Sequence, residues 1–251
     1  MELFNLKDKV ALVTGSSRGM GQAICLGLAQ AGARVIGLAR SNNDETKFMM
    51  TEKGYEFKSV IYDLADFEGM DDLAKEVINI YGRVDILVNN AGIIKISQAE
   101  DHSLKDYSQV MDVNVKSIFL LSQAIGRDMI KNKSGKIINT ASIHALGGGF
   151  DCISYTASKH AVVGLTKALA NEWGKYNIKV NAIAPGYTIS DNTKNLRKNT
   201  ELTNQITESI PLKRWAKPED IVGPVIFLAS QASDYVNGEL LVIDGGLQNV
   251  H

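Results

Sequence analysis

"KVALVTGSSRGMGQAI" spans Lys9 to Ile24, and its two ends follow different periodicities. Lys9–Gly15 is an unbroken apolar run closed by a glycine. Continuous rather than alternating hydrophobicity marks a strand covered on both faces. From Gly19 onward the chain reads as an amphipathic helix. Between the two, glycines fall at Gly15, Gly19 and Gly21, a G-x-x-x-G-x-G spacing. Glycines there permit a tight turn and let the backbone approach a phosphate at the N-terminus of the following helix. The spacing differs from the G-x-G-x-x-G fingerprint, so its weight comes from its place between a first strand and a first helix.

The same alternation continues along the chain. Lys9–Gly15, Ala33–Ala39, Phe57–Leu64, Asp85–Gly92, Lys136–Ile143, Lys179–Gly186 and Leu240–Gly246 are short apolar runs, nearly all stopped by Gly, Asn, Asp or Ser. Longer amphipathic stretches separate them. This predicts an α/β fold: a single doubly wound (Rossmann) domain over residues 1–251, with a seven-stranded parallel sheet and helices on both faces. One stretch breaks the rhythm: Thr188 to Trp215, "TISDNTKNLRKNTELTNQITESIPLKRW". It is polar and follows the sixth strand, where a small substrate lid is expected.

Composition narrows the function classes. The chain has 251 residues, 45% of them hydrophobic, and a formal net charge of -1. Neither nucleic acid nor a membrane is an expected partner, because there is no basic patch and no apolar run of the roughly 18 residues a spanning helix needs. Cys25 and Cys152 show no metal-ligand spacing and read as ordinary thiols. No metal site is expected. Charges among the first nine residues argue against a signal peptide, so a cytoplasmic location is expected.

The second strand's end speaks to the ligand. An acid that holds an adenine ribose is expected there. This chain has Ala39, then Arg40 and Ser41. A guanidinium near Arg18 of the glycine turn suits a 2′-phosphate, which favours NADP(H) over NAD(H). Asp63 and Leu64 are placed to meet the adenine. "NNAG", Asn89 to Gly92, ends the fourth strand without bulk, so a cofactor could lie against Asn90, Ala91 and Gly92.

A further set carries chemistry. Tyr155 and Lys159 in "SYTASKHA" lie one helical turn apart, beside an apolar stripe through Thr156, Ala157, Ala161, Val162, Val163 and Leu165. An ammonium near a phenol lowers its pKa from about 10, turning tyrosine into a usable acid–base group. Ser142 ends the fifth strand, and Asn114 is a lone amide on an apolar helical face.

With "TGSSRGMG", "NNAG", Asn114, Ser142, "YTASK", "APG" (Ala184–Gly186) and "IDGG" (Ile243–Gly246) in order, the sequence resembles the short-chain dehydrogenase/reductase family over essentially its whole length. The resemblance implies a catalytic set of Asn114, Ser142, Tyr155 and Lys159. Tyr155 would exchange the proton, Lys159 would also hold the nicotinamide ribose, Ser142 would orient the reacting oxygen, and Asn114 would hold a water beside Lys159. It implies cofactor contacts from Gly15, Ser17, Arg18, Gly19, Met20 and Gly21, with Pro185, Gly186 and Thr188 at the nicotinamide end. A homotetramer is implied as well.

The C-terminal half, with "NEW", "APGY", "DNT" and "SDYVNG", is similar to the family's 2-dehydro-3-deoxy-D-gluconate 5-dehydrogenases. That implies a small polar sugar acid as substrate, with Ser142, His144, Lys95, Asn192 and Arg197 as candidate contacts. Gluconate 5-dehydrogenase and 3-oxoacyl thioester reductase are the alternatives. A thioester would favour an apolar lid, and this one is polar. A nucleotide sensor without catalysis is disfavoured because both Tyr155 and Lys159 are present.

Overall fold

The structure is a computed structural model that describes residues 2–249. Seven parallel strands form one sheet in the order β3-β2-β1-β4-β5-β6-β7. They are β1 (Val10–Thr14), β2 (Arg34–Ala39), β3 (Phe57–Ile61), β4 (Ile86–Asn89), β5 (Gly135–Thr140), β6 (Ile178–Pro185) and β7 (Leu240–Ile243). The eight α-helices among the described residues are α1 (Gly19–Gln30), α2 (Asp44–Glu52), α3 (Met70–Tyr81), α4 (Leu104–Met111), α5 (Ser117–Asn132), α6 (Ile153–Trp173), α7 (Thr200–Ser209) and α8 (Val222–Ala229). Strand order reverses between β1 and β4, which opens a crevice at their carboxyl ends.

β1 shows why its sequence is continuously apolar. Val10 and Leu12 pack into the cluster that contains Leu73, Val77, Leu121 and Ile125 from α3 and α5. Ala11 and Val13 pack into the opposite one, with Ile24 and Leu28 of α1 and Val225 and Leu228 of α8. Successive side chains alternate between two buried faces, so neither set can be polar. Each buried Val or Leu contributes about 1.5–3 kcal/mol.

Two expectations shift. The third run was expected to reach Leu64, but β3 stops at Ile61, which is exposed. It is an edge strand, and Lys58 and Ser59 are exposed as well. The apolar stripe expected along α6 is mostly half-buried. The buried face of that helix carries Ser154, Ser158, Lys159 and Thr166 with Val162 and Leu169. The helix thus presents polar groups inward, toward the ends of β4 and β5.

Candidate active site

The turn after β1 is built by close approach. Gly15 has φ +68°, and a Cβ there would come within 3.0 Å of Ala91 Cα. A Cβ on Gly21 would sit 2.1 Å from the Gly15 carbonyl oxygen, so the helix can start only where residue 21 has no side chain. Thr14 Oγ1 accepts from the backbone N–H groups of Asn90 and Ala91, each at 3.0 Å, and Asn90 Nδ2 donates to the Thr14 carbonyl. These bonds lace the ends of β1 and β4 together. No side chain caps α1, which leaves its first N–H groups for an anion.

Above this turn lies a cavity of about 510 Å³. It is lined by Gly15, Ser17, Arg18, Gly19, Met20 and Gly21, by Arg40 and Ser41, by Asp63 and Leu64, and by Asn90, Ala91 and Gly92. Every residue assigned to the cofactor from the first four strands is therefore gathered in one crevice. Asn90 Oδ1 is buried there without a partner. The bare glycine turn, the uncapped helix and the free amide oxygen fit a dinucleotide phosphate and its ribose. Arg40 is exposed and has no carboxylate partner among the described residues. Arg18, on the same wall, also has its Nε 2.7 Å from Asp191 Oδ2, so its guanidinium reaches across to the 188–215 segment.

None of the four chemical residues lines this cavity; two of them, Asn114 and Lys159, stand beside Gly92 of its wall. Ser142 lies two residues beyond β5 and caps a short turn, accepting from the His144 N–H at 3.2 Å. Tyr155 and Lys159 occupy the first turns of α6. Lys159 is buried, and its ammonium donates to the Thr140 carbonyl at 2.7 Å. Burial pushes its pKa down to about 8. Its Nζ is 5.4 Å from the Tyr155 ring centroid. Burial raises the Tyr155 phenol and the Ser142 hydroxyl opposes that shift. The lowered phenol expected from sequence is thus not what the protein alone displays, because burial outweighs the Ser142 hydrogen bond. A Cβ on Gly92 would stand 3.3 Å from Asn114 Oδ1 and 3.6 Å from Lys159 Nζ, so the bare end of β4 meets both groups.

Asn114 sits in a π turn, Asp112–Lys116, between α4 and α5. It is fully buried. Nδ2 donates to the Ile93 carbonyl at 2.9 Å and to Ser158 Oγ at 3.1 Å, while Oδ1 accepts from Ile93 N–H at 2.8 Å. Both amide hydrogens are committed, so the side chain clamps the segment after β4 onto α6 and has no hydrogen left to donate to a water.

The substrate candidates divide. His144 presents its ring to Tyr155 edge-on, with centroids 5.8 Å apart, and burial holds its pKa below the ordinary value. Asn192 and Arg197 line the cavity. Arg197 Nη2 also donates to the Ser190 carbonyl at 3.1 Å. Lys95 is not brought in: it pairs with Asp106 at 3.1 Å and does not line the cavity. Pro185, Gly186 and Thr188 do not line the cavity. They anchor its cover, since the Thr188 carbonyl accepts from Thr193 Oγ1 at 2.8 Å. Sequence reasoning missed Tyr62, Gln109, Ser190 and Asp191 in the cavity wall. It also gave no role to Cys152, a buried free thiol whose Sγ lies 3.6 Å from Thr156 Oγ1. No local pattern marks the four wall residues, which only the folded chain brings to the cavity.

Residues 15–248 match the family profile described as enoyl-(acyl carrier protein) reductase. The 2-dehydro-3-deoxy-D-gluconate 5-dehydrogenase of Dickeya dadantii is 47% identical over 247 residues, covering 98% of each chain. Its Bacillus subtilis namesake is 47% identical over 246 residues, covering 98% of this chain and 96% of its own. A Beutenbergia cavernae structure, provisionally described as an NAD(P)-dependent gluconate 5-dehydrogenase with NADP bound at low occupancy, superposes with a TM-score of 0.96 at 44% identity. It covers 99% of this chain and 100% of its own. With the glycine turn, the Tyr155–Lys159 pair and this likeness along the whole length, the chain belongs to the short-chain dehydrogenase/reductase family of oxidoreductases.

Proposed function

We propose that this enzyme interconverts a secondary alcohol and a ketone on a small polar sugar acid, as a 2-dehydro-3-deoxy-D-gluconate 5-dehydrogenase does, with NADP(H) favoured over NAD(H). The observation that carries the substrate class is the polar cover of the cavity. Ser190, Asp191, Asn192 and Arg197, with Ile189 the one apolar side chain among them, face it from the 188–215 segment, which we read as the lid. A polyhydroxy acid offers partners for such groups, and Arg197 can meet a carboxylate. An acyl thioester offers few. The names of the Dickeya and Bacillus relatives point the same way.

In this reading Tyr155 donates a proton to the carbonyl oxygen during reduction and takes it back during oxidation. Ser142 holds that oxygen beside the phenol. Lys159 keeps a positive charge one helical turn away, and Asn114 ties the segment after β4 to Ser158 of the helix that carries both. When bound, the nicotinamide supplies or accepts the hydride. Arg40 is assigned to the 2′-phosphate because it is a cation at the end of β2 that no carboxylate among the described residues opposes. A cytoplasmic homotetramer belongs to the same proposal, by family likeness. The described helices include none long and apolar enough to cross a membrane.

The test is cofactor oxidation by the purified chain with NADPH and NADH separately, against keto-hexonates, diketo-hexonates and one 3-oxoacyl thioester. Turnover on the sugar acids with NADPH in front is expected. Turnover on the thioester alone would move the enzyme to acyl-chain chemistry.

A further inference from the structure

Asn43 occupies the position before α2 where an asparagine ordinarily caps a helix, yet its side chain makes no cap bond. The amide is turned inward and is 2% exposed. Its Oδ1 accepts from Ser16 Oγ at 2.9 Å. Its Nδ2 donates to the Gly37 carbonyl at 3.1 Å and to Ser59 Oγ at 2.9 Å. One turn further on, Thr46 Oγ1 donates to the Ser16 carbonyl at 2.8 Å. Gly37 leaves the room this requires, because a Cβ there would come within 2.8 Å of Ser16 Oγ. A buried polar network is stable only when its members are satisfied, and every polar atom of the Asn43 amide has a partner.

The network joins two particular segments. Ser16 lies in the glycine turn, between two residues of the cavity wall, Gly15 and Ser17. Asn43 comes three residues after Arg40 and two after Ser41, which line the far end of the same wall. Fixing Asn43 to Ser16 therefore fixes the Arg40 loop against the phosphate turn. We propose that Asn43 is a positioning residue for cofactor choice, holding the Arg40–Ser41 loop in register with the glycine turn so that the guanidinium meets a phosphate on the adenosine ribose. This rests on the NADP(H) reading above. A slack loop would still admit a dinucleotide, whose pyrophosphate is met by the glycine turn, but would lose the register that reads the extra phosphate. The effect should fall on NADPH and spare NADH, which a merely structural role would not do.

The experiment measures NADPH and NADH dissociation constants by nicotinamide fluorescence on the full chain and its Asn43→Ala, Ser16→Ala and Arg40→Ala variants. Asn43→Ala and Ser16→Ala are expected to weaken NADPH about tenfold or more, the size of one charge-assisted contact, with NADH changed less than about threefold. Adding Asn43→Ala to Arg40→Ala should cost little more, because both act on one contact. Ser16→Ala leaves Asn43 its bonds to Gly37 and Ser59, so the question stays answerable if Asn43→Ala does not fold. Equal losses for both cofactors, or unchanged NADPH binding in a wild-type chain that prefers NADPH, would overturn the inference alone. A wild-type chain indifferent to the extra phosphate and to Arg40→Ala would overturn the cofactor reading first, and this inference with it.

Discussion

At Lys159 an ammonium is buried against the Thr140 carbonyl, and burial brings its pKa from an ordinary 10.5 down to about 8. The unfolded chain keeps that proton to higher pH than the folded one. Below about 8 both states are protonated and the folded state carries the whole desolvation cost; between there and 10.5 the cost fades as pH rises. Lys159→Met should therefore be more stable than wild type at neutral pH by roughly 2 kcal/mol, after allowing about 1 kcal/mol for the orphaned carbonyl. The advantage should shrink in alkaline buffer. Thermal melts across pH check this, and equal melting points at neutral pH would show that the Thr140 bond compensates fully. The same variant should lose turnover. Tyr155→Phe should keep cofactor binding and lose at least about a hundredfold in rate. Near-normal turnover would remove Tyr155 from the mechanism. Both residues could be read from the sequence, because a one-turn spacing on a helix is local. The direction of the ammonium could not, since Thr140 lies on a different element.

Helix α1 crosses α8 at a glycine. A Cβ on Gly27 would sit 2.1 Å from Val222 Cγ1, so the two helices are as close as their backbones and this valine allow. Gly27→Ala should destabilise by about 1–3 kcal/mol through overpacking. Val222→Ala should reopen the space, so the double variant should be more stable than the sum of the single changes implies. Denaturant melts of the four proteins give the coupling, and strict additivity would mean that the helices simply move apart. At this scale the sequence reported strands well, because a strand buried on both faces must be continuously apolar. It overran β3, whose edge position is set by its neighbours. It gave no sign of the π turn at Asp112–Lys116, which lies under bonds from Asn114 to Ile93 and Ser158.

Across the whole molecule, ligand binding and folding are linked. NADPH at about a hundredfold over its dissociation constant should add about 2.7 kcal/mol, or roughly 5–10 °C in melting temperature. NADH at the same concentration should add less. Arg40→Asp should reverse that order, and an unchanged order would show that Arg40 does not touch the 2′-phosphate. The Arg18–Asp191 pair bridges the glycine turn and the cover, but it is largely exposed and contributes about 0–1 kcal/mol.

What the sequence determined by itself was whatever is written in short-range patterns. The alternation of strands and helices, the glycine turn, the missing acid at Ala39 and the Tyr155–Lys159 spacing each depend on neighbours within a few residues. The tertiary structure decided the rest. It sent Lys95 to Asp106 and Arg18 to Asp191, and turned Asn43 away from its helix toward Ser16. Each of these choices is a competition among partners distant in sequence, and the winner is set by which polar groups burial leaves within reach.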